Sequence, residues 1–205
     1  MKPKYKILIV TVISVIAILF TAWVIHGNIT VELSEYTVSA DGLPESFDGF
    51  RIVQISDLHN SEYGESNEKL LDMIAEARPD MIAITGDLID STRPDVALAL
   101  FFVAEAMKIA PCYYVPGNHE SRLPDEYKTL KQGLSLLGVT VLENSSVKIK
   151  IGEEYITVAG VIDPAFITDY YTGDSESVMK DSLSTLQADG SYTLLLSHRP
   201  ELFDV

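Results

Sequence analysis

The residues best suited to chemistry in this chain stand at the ends of short apolar runs. Ile52 to Ser56 leads into Asp57-Leu58-His59, and Met81 to Thr85 leads into Gly86-Asp87. Tyr113 to Pro116 leads into Gly117-Asn118-His119-Glu120, and Thr193 to Leu196 into Ser197-His198-Arg199-Pro200. If each run is a buried strand, four strands deliver carboxylate, imidazole and amide groups at one end. That is the end where open α/β sheets bind ligands. Asp57 and His59 are two residues apart, so on an extended chain they point the same way and can grip one ion together.

The four histidines sort unevenly. His26 follows a long apolar segment, whereas His59, His119 and His198 each follow one of these runs. Any one of the three alone reads as a core or surface residue. All three together with Asp57, Asp87 and Asn118 read as a ligand set. Mixed carboxylate, imidazole and amide donors suit Mn, Fe or Zn rather than a thiolate-bound structural zinc. Two such ions about 3.5–4 Å apart clamp the attacking and leaving oxygens of a phosphoryl displacement and acidify a shared water. A carboxylate can bridge them, because it offers lone pairs on two oxygens.

The elements that must position these groups alternate. Ile29 to Val38 reads as a strand with a bulge at Ser34-Glu35, and Asp41-Gly42-Leu43-Pro44 as a turn. Ser66 is placed to cap a helix reaching Ala77, which Pro79 helps to stop. Pro94 suits the first turn of a second, largely apolar helix to about Ile109. Tyr127, Leu130, Leu134 and Leu137 form a helical stripe. Val147 to Ile151 and Tyr155 to Ala159 form a hairpin with one wet face. A last helix from about Ser175 to Ala188 precedes the strand Tyr192 to Ser197. Strands alternating with helices predict a largely parallel α/β core with the hairpin as an antiparallel addition.

The 205 residues suffice for one domain with a sizeable core, and the formal net charge is −15. Lys2, Lys4 and Lys6 precede any acid, which leaves twelve basic against thirty acidic residues in the rest. So acidic a surface repels polyanions, so no nucleic acid is expected as partner. A small phosphate-bearing substrate is compatible, because bound ions dominate the local field. No protein partner is legible. Ile7 to Ile25 is uncharged and almost wholly apolar, long enough nearly to span about 30 Å of hydrocarbon. With the lysines before it, it predicts a single-pass anchor in the cell membrane. The N-terminus is then cytoplasmic and the rest extracytoplasmic. A cleaved signal peptide is the alternative, but no small-x-small site stands near Thr21-Ala22-Trp23. The expected division is 1–28 for the lysines and transmembrane anchor and 29–205 for the catalytic domain. Cys112 is the only cysteine, so no intrachain disulfide forms, and it is read as a buried packing residue.

In their order, Asp57-Leu58-His59, Gly86-Asp87, Gly117-Asn118-His119-Glu120 and Ser197-His198-Arg199-Pro200 resemble the calcineurin-like metallophosphoesterases. Gly160-Val161-Ile162-Asp163-Pro164 and the Leu43 to Arg51 lead-in are similar to a membrane-anchored bacterial branch of that family. The resemblance implies a four-layer α/β/β/α sandwich with two divalent transition-metal ions at the strand ends. By that resemblance Asp57 and His59 hold the first metal, Asp87 bridges, and Asn118 and His198 hold the second. His119 stabilises charge or protonates the leaving oxygen. Asn118 and Arg199 are candidates to touch a phosphate, with a surface ion pair the alternative for Arg199, and Glu120 is a candidate to orient His119. Asp163 is read as a turn residue. The implied activity is hydrolysis of a small phosphoester by a hydroxide bridging the two metals. A lipid-linked or nucleotide-sugar pyrophosphatase is the alternative, and a non-catalytic surface binding module on a decayed phosphoesterase fold is the alternative of another class. The family closes its site with a further strand and Gly-His-x-His. No His-x-His occurs here, so the sandwich is expected to be incomplete at the C-terminus. A fragment of a longer protein is the expectation, and a natural truncation the alternative. Specificity is assigned to the loops Asn60 to Asn67 and Asp163 to Asp174.

Overall fold

The computed structural model describes residues 3–169, 172–186 and 189–203. Lys2, Ala188 and part of the loop before Asp174 therefore lie outside the described residues. The chain divides into two compact units, Met1–Glu35 and Tyr36–Val205.

The first unit is built on one helix, α1 (Pro3–Ile29). Its stretch Pro3–Val24 has a mean hydropathy of 2.8, long and apolar enough to cross a membrane. The strand expected from Ile29 to Val38 does not form. The helix runs through Ile29, and residues 30–40 pair with no ladder. Alternation builds a strand only where one face is buried. Here Leu33, Tyr36 and Val38 are 53%, 87% and 74% exposed.

The second unit has two sheets. The first is parallel, in the order β1 (Ile52–Ile55), β2 (Met81–Thr85), β3 (Cys112–Val115), β4 (Thr140–Val141). In the second, β5 (Ser145–Ile151) pairs antiparallel with β6 (Glu154–Gly160), and β6 pairs parallel with β7 (Thr193–Leu196). Strand β2 is buried along its whole length between β1 and β3, which is why it reads as an unbroken apolar run.

Period-2 alternation assigns the faces. Ile82, Ile84, Cys112 and Tyr114 point to one core with α2 (Glu68–Ala77), α3 (Val96–Ala106) and α5 (Pro124–Leu136). Met81, Ala83 and Val115 point the other way, against Val158, Leu194 and Leu196 of the second sheet. On the far side of that sheet Val161 and Leu195 meet Met179 and Leu183 of α6 (Ser175–Thr185). The layers are thus α/β/β/α, as the resemblance implies. Each fully buried Ile or Leu adds roughly 1.5–3 kcal/mol, so the ends of β2 and β3 form a stiff base for the loops that leave them.

The helix ends differ from expectation. Ser66 has φ +53 and caps nothing; α2 starts at Glu68, behind Asn67 at φ +64. The Asn67 side chain instead accepts the Tyr63 N–H at 2.9 Å, a competing local bond typical of Asn. Pro94 lies before α3, whose cap is Asp95, its Oδ1 accepting the Leu98 N–H at 2.9 Å. Cys112 is buried, and burial pushes its thiol up to about 12, so it stays protonated and inert.

Candidate metal centre

Turns at the C-terminal ends of β1, β2, β3 and β7 converge, and the backbones after β1 and β2 are bent sharply to do so. Asp57, His59, Asn60 and Asp87 all have left-handed φ, at +56, +48, +56 and +52. Such a backbone costs an L-residue about 1–2 kcal/mol. The strands pay for it by cross-bonding: Asp57 N–H donates to the Gly86 carbonyl at 3.1 Å and His59 N–H to the Asp87 carbonyl at 2.9 Å. Gly86 is required at φ +90, and a Cβ there would lie 2.7 Å from His198 Nδ1 and 2.8 Å from Gly117 Cα.

Asp87 is the centre of the cluster and is 3% exposed. Its Oδ2 lies 3.4 Å from His198 Nε2, 3.7 Å from His59 Nε2 and 3.9 Å from His119 Nε2. Its Oδ1 accepts the His119 N–H at 2.8 Å. Asp57 Oδ1 lies 3.6 Å from His59 Nε2. The Asp57 side chain is 56% exposed and that of His198 only 7%, so the cluster opens on the β1 side. Asn118 Oδ1 lies 3.1 Å from His198 Nε2. The site residues read from the sequence, Asp57, His59, Asp87, Asn118, His119 and His198, therefore meet in one place.

Two histidines are oriented in opposite senses. His198 Nδ1 faces the Thr85 carbonyl at 2.8 Å and must carry a proton, which leaves Nε2 directed at Asp87 and Asn118. This is the second contact that orients a ligand imidazole. His119 Nδ1 accepts the Ser91 N–H at 2.9 Å, so its proton sits on Nε2. Burial pulls the His119 pKa down against the attraction of Asp87. That fits the bond to Ser91, because an imidazolium would set two N–H groups against each other.

Burial works to raise the Asp87 carboxyl, but His198 and the His119 N–H outweigh it and hold it below the ordinary range. For His198 burial works downward, and Asp87 with the Thr85 carbonyl lifts it to about 9. A positive charge is thus welcome between these groups. Ligands about 2.1 Å from one ion lie roughly 3–3.5 Å apart, close to the Asp87–His198 and His198–Asn118 spacings. His59 Nδ1 is buried without a partner. Ligand atoms of Asp57, His59 and Asp87 lie within 4.8 Å of one another, as do those of His59, Asp90 and His119. The residues present fit divalent ions.

Glu120 meets other groups than the His119 ring. Glu120 is fully buried and does not meet the His119 ring, whose Nδ1 is taken by Ser91. Its carboxylate accepts four backbone N–H groups: Asp87 at 2.9 Å and Gly117 at 2.8 Å on Oε2, Leu88 at 2.8 Å and Ile89 at 3.1 Å on Oε1. Burial raises its pKa against these donors. Arg199 Nε pairs with Glu201 at 2.8 Å. Asp163 is a turn residue, as expected: its Oδ1 accepts the Ala165 N–H at 2.8 Å at the head of the turn Pro164–Phe166, and it is 1% exposed. Sequence reading also missed Asn60, whose Oδ1 accepts the Asp90 and Asp95 N–H groups, both at 3.0 Å. An Asn directly after a ligand pair was the available signal. Ser91 acts through its backbone and leaves none.

The sequence model of the calcineurin-like phosphoesterases matches residues 50–203, and the chain belongs to that family. It is 30% identical to the metallophosphoesterase YkuE of Bacillus subtilis over 83% of this chain and 58% of that protein. It is 33% identical to YkoQ of the same organism over 79% of this chain and 57% of that protein. A transmembrane protein with a metallophosphoesterase domain from Danio rerio is 27% identical over 91% of this chain and 44% of that protein. The chain spans about half the length of the curated relatives it matches. An apolar helix at the N-terminus and transmembrane relatives together point to a membrane protein.

Proposed function

We propose that the protein hydrolyses phosphoester bonds with two divalent ions held by the strand-end cluster. The observation that carries this is Asp87 Oδ2, a buried carboxylate oxygen with imidazole nitrogens of three separate loops 3.4–3.9 Å away. Asp57 and His59 would hold one ion, Asn118 and His198 the other, with Asp87 shared. When bound, the ions acidify a water and neutralise charge on the phosphoryl oxygens.

The side chains supply the rest. His198 is held by Thr85 with Nε2 inward, where a bound ion would take the place of the Nε2 proton. His119, with its proton on Nε2, offers a hydrogen bond to charge that develops on the leaving or equatorial oxygen. Of its two expected roles, charge stabilisation is the better fit, because the Ser91 N–H opposes the imidazolium a full proton donor needs. The net charge of −15 favours a small substrate over nucleic acid. The apolar helix favours a single-pass anchor with the lysines cytoplasmic and the catalytic unit outside.

The anchor also supports a second reading, hydrolysis of a lipid-linked diphosphate. Turnover of a diphosphate-linked lipid against an aryl phosphodiester separates the two. The test of the main proposal is hydrolysis of aryl phosphate esters with added Mn²⁺, before and after Asp87→Ala. Activity that is absent with Mn²⁺, or that survives Asp87→Ala, defeats it. Tight metal binding without turnover of any phosphoester would instead favour a binding module.

A further inference from the structure

Two loops must keep a fixed separation for the cluster to form: Gly86 to Ile89 after β2 and Gly117 to His119 after β3. Both leave neighbouring parallel strands, and ladder bonds stop at Thr85 and Val115. Beyond that point the Asp87 carboxylate meets the His119 N–H from the ligand side, and one further side chain ties both loops from beneath. Glu120, in the short helix α4 (Asn118–Ser121), turns its carboxylate back beneath them. Oε2 bridges the Asp87 and Gly117 N–H groups, one from each loop, and Oε1 takes the Leu88 and Ile89 N–H groups.

The four backbone groups that meet Glu120 are all donors, and the Tyr114 hydroxyl faces it as well, so the site suits an ionised, acceptor-only carboxylate. Asp87 is held at φ +52 by the same bonds. We infer that Glu120 is the positioning residue of the metal centre: it sets the distance between Asp87 and Asn118–His119 and thereby the affinity for the shared pair of ions. The inference rests on the metal reading given above. Glu120 touches no reacting atom, and its effect passes through Asp87 and Gly117.

Glu120→Gln keeps the shape but replaces one acceptor oxygen by an NH₂ that opposes two N–H groups. Glu120→Asp keeps the charge but is one methylene too short to reach both loops. The experiment uses the full chain in detergent micelles well below its melting temperature. Mn²⁺ binding is read by calorimetry, and kcat and KM are read with an aryl phosphodiester. Orienting contacts of this kind change metal affinity about 10–100-fold. Both variants are expected to lose Mn²⁺ affinity at least tenfold and to lower kcat more than they raise KM. Variants that fold and bind Mn²⁺ within twofold of the parent overturn the inference, whatever their melting temperature. A parent that binds no Mn²⁺ overturns the metal reading and this inference with it. If neither variant folds, amide hydrogen exchange on the metal-free parent decides. The amides of Asp87, Leu88, Ile89 and Gly117 must exchange as slowly as the ends of β2 and β3. Fast exchange there overturns the clamp independently of any metal.

Discussion

Gly117→Ala should disable the centre by steric contact alone. Gly117 has φ −104 and ψ −171, an extended backbone that alanine adopts freely. The obstacle is space: a Cβ there would lie 2.3 Å from Asp87 Oδ1, 2.6 Å from its N and 3.0 Å from its Cγ. Ordinary contact begins at 3.4 Å, so the carboxylate must retreat by about 1 Å. It cannot do so without breaking the 2.8 Å bond from the His119 N–H and turning Oδ2 away from the imidazoles. A 1 Å misplacement at a reacting centre costs about 100-fold in rate. Overpacking costs about 1–3 kcal/mol of stability, which a domain with about 5–15 kcal/mol survives. The assay is kcat/KM with bis(4-nitrophenyl) phosphate at saturating Mn²⁺, beside a thermal melt. Gly133→Ala is the control, because its Cβ would lie 2.4 Å from Leu100 Cδ1, between α5 and α3 and away from the cluster. It should lose stability and keep metal affinity. If Gly117→Ala stays within threefold of the parent, or Gly133→Ala loses as much activity, the steric argument fails.

Asp95→Ala removes the side-chain cap of α3 and should cost about 1 kcal/mol, a fall in melting temperature of roughly 2–4 °C for a domain of this size. Mn²⁺ affinity should be unchanged, and an unchanged melt would show that the cap is idle. The hairpin carries a pH effect. Asp189 pairs with Lys148 at 2.6 Å and accepts from Ser191, and these bonds hold its carboxyl below the ordinary value of 3.8. A depressed folded pKa gives stability that is complete above pH about 4 and is lost as pH falls through the folded value. Asp189→Asn should therefore lower the melting temperature near pH 6 and make no difference at the acid end. A difference that persists or grows at low pH would contradict this.

The sequence made the site more legible than the frame around it. Strand-end chemistry was readable because β1, β2, β3 and β7 are short, apolar and followed at once by ligand types, a local pattern that needs no tertiary information. The sandwich followed from alternation of strands and helices together with the family resemblance. Where reading failed, a competing interaction was the cause. Residues 30–38 alternate as a strand does, but alternation says nothing about whether a partner strand is present. Ser66 has the chemistry of a cap, yet Asn67 and the left-handed turn displace the helix start by one residue. Glu120 was noticed but misassigned, because four backbone N–H groups from two loops leave no mark on side-chain spacing. Strand β4 has two residues and no periodicity to read. The tie from Ser91 to His119 runs through a backbone N–H, which every residue but proline carries.

The most direct test of the strand-end cluster as a metal centre is metal content per chain by elemental analysis. The protein would be purified without chelator and equilibrated with Mn²⁺, as the parent and as His198→Ala. His198 completes only one of the two proposed ligand sets. The expected result is about two transition-metal ions in the parent and about one in the variant. A parent with no bound metal, or a variant that keeps both ions, would contradict the assignment.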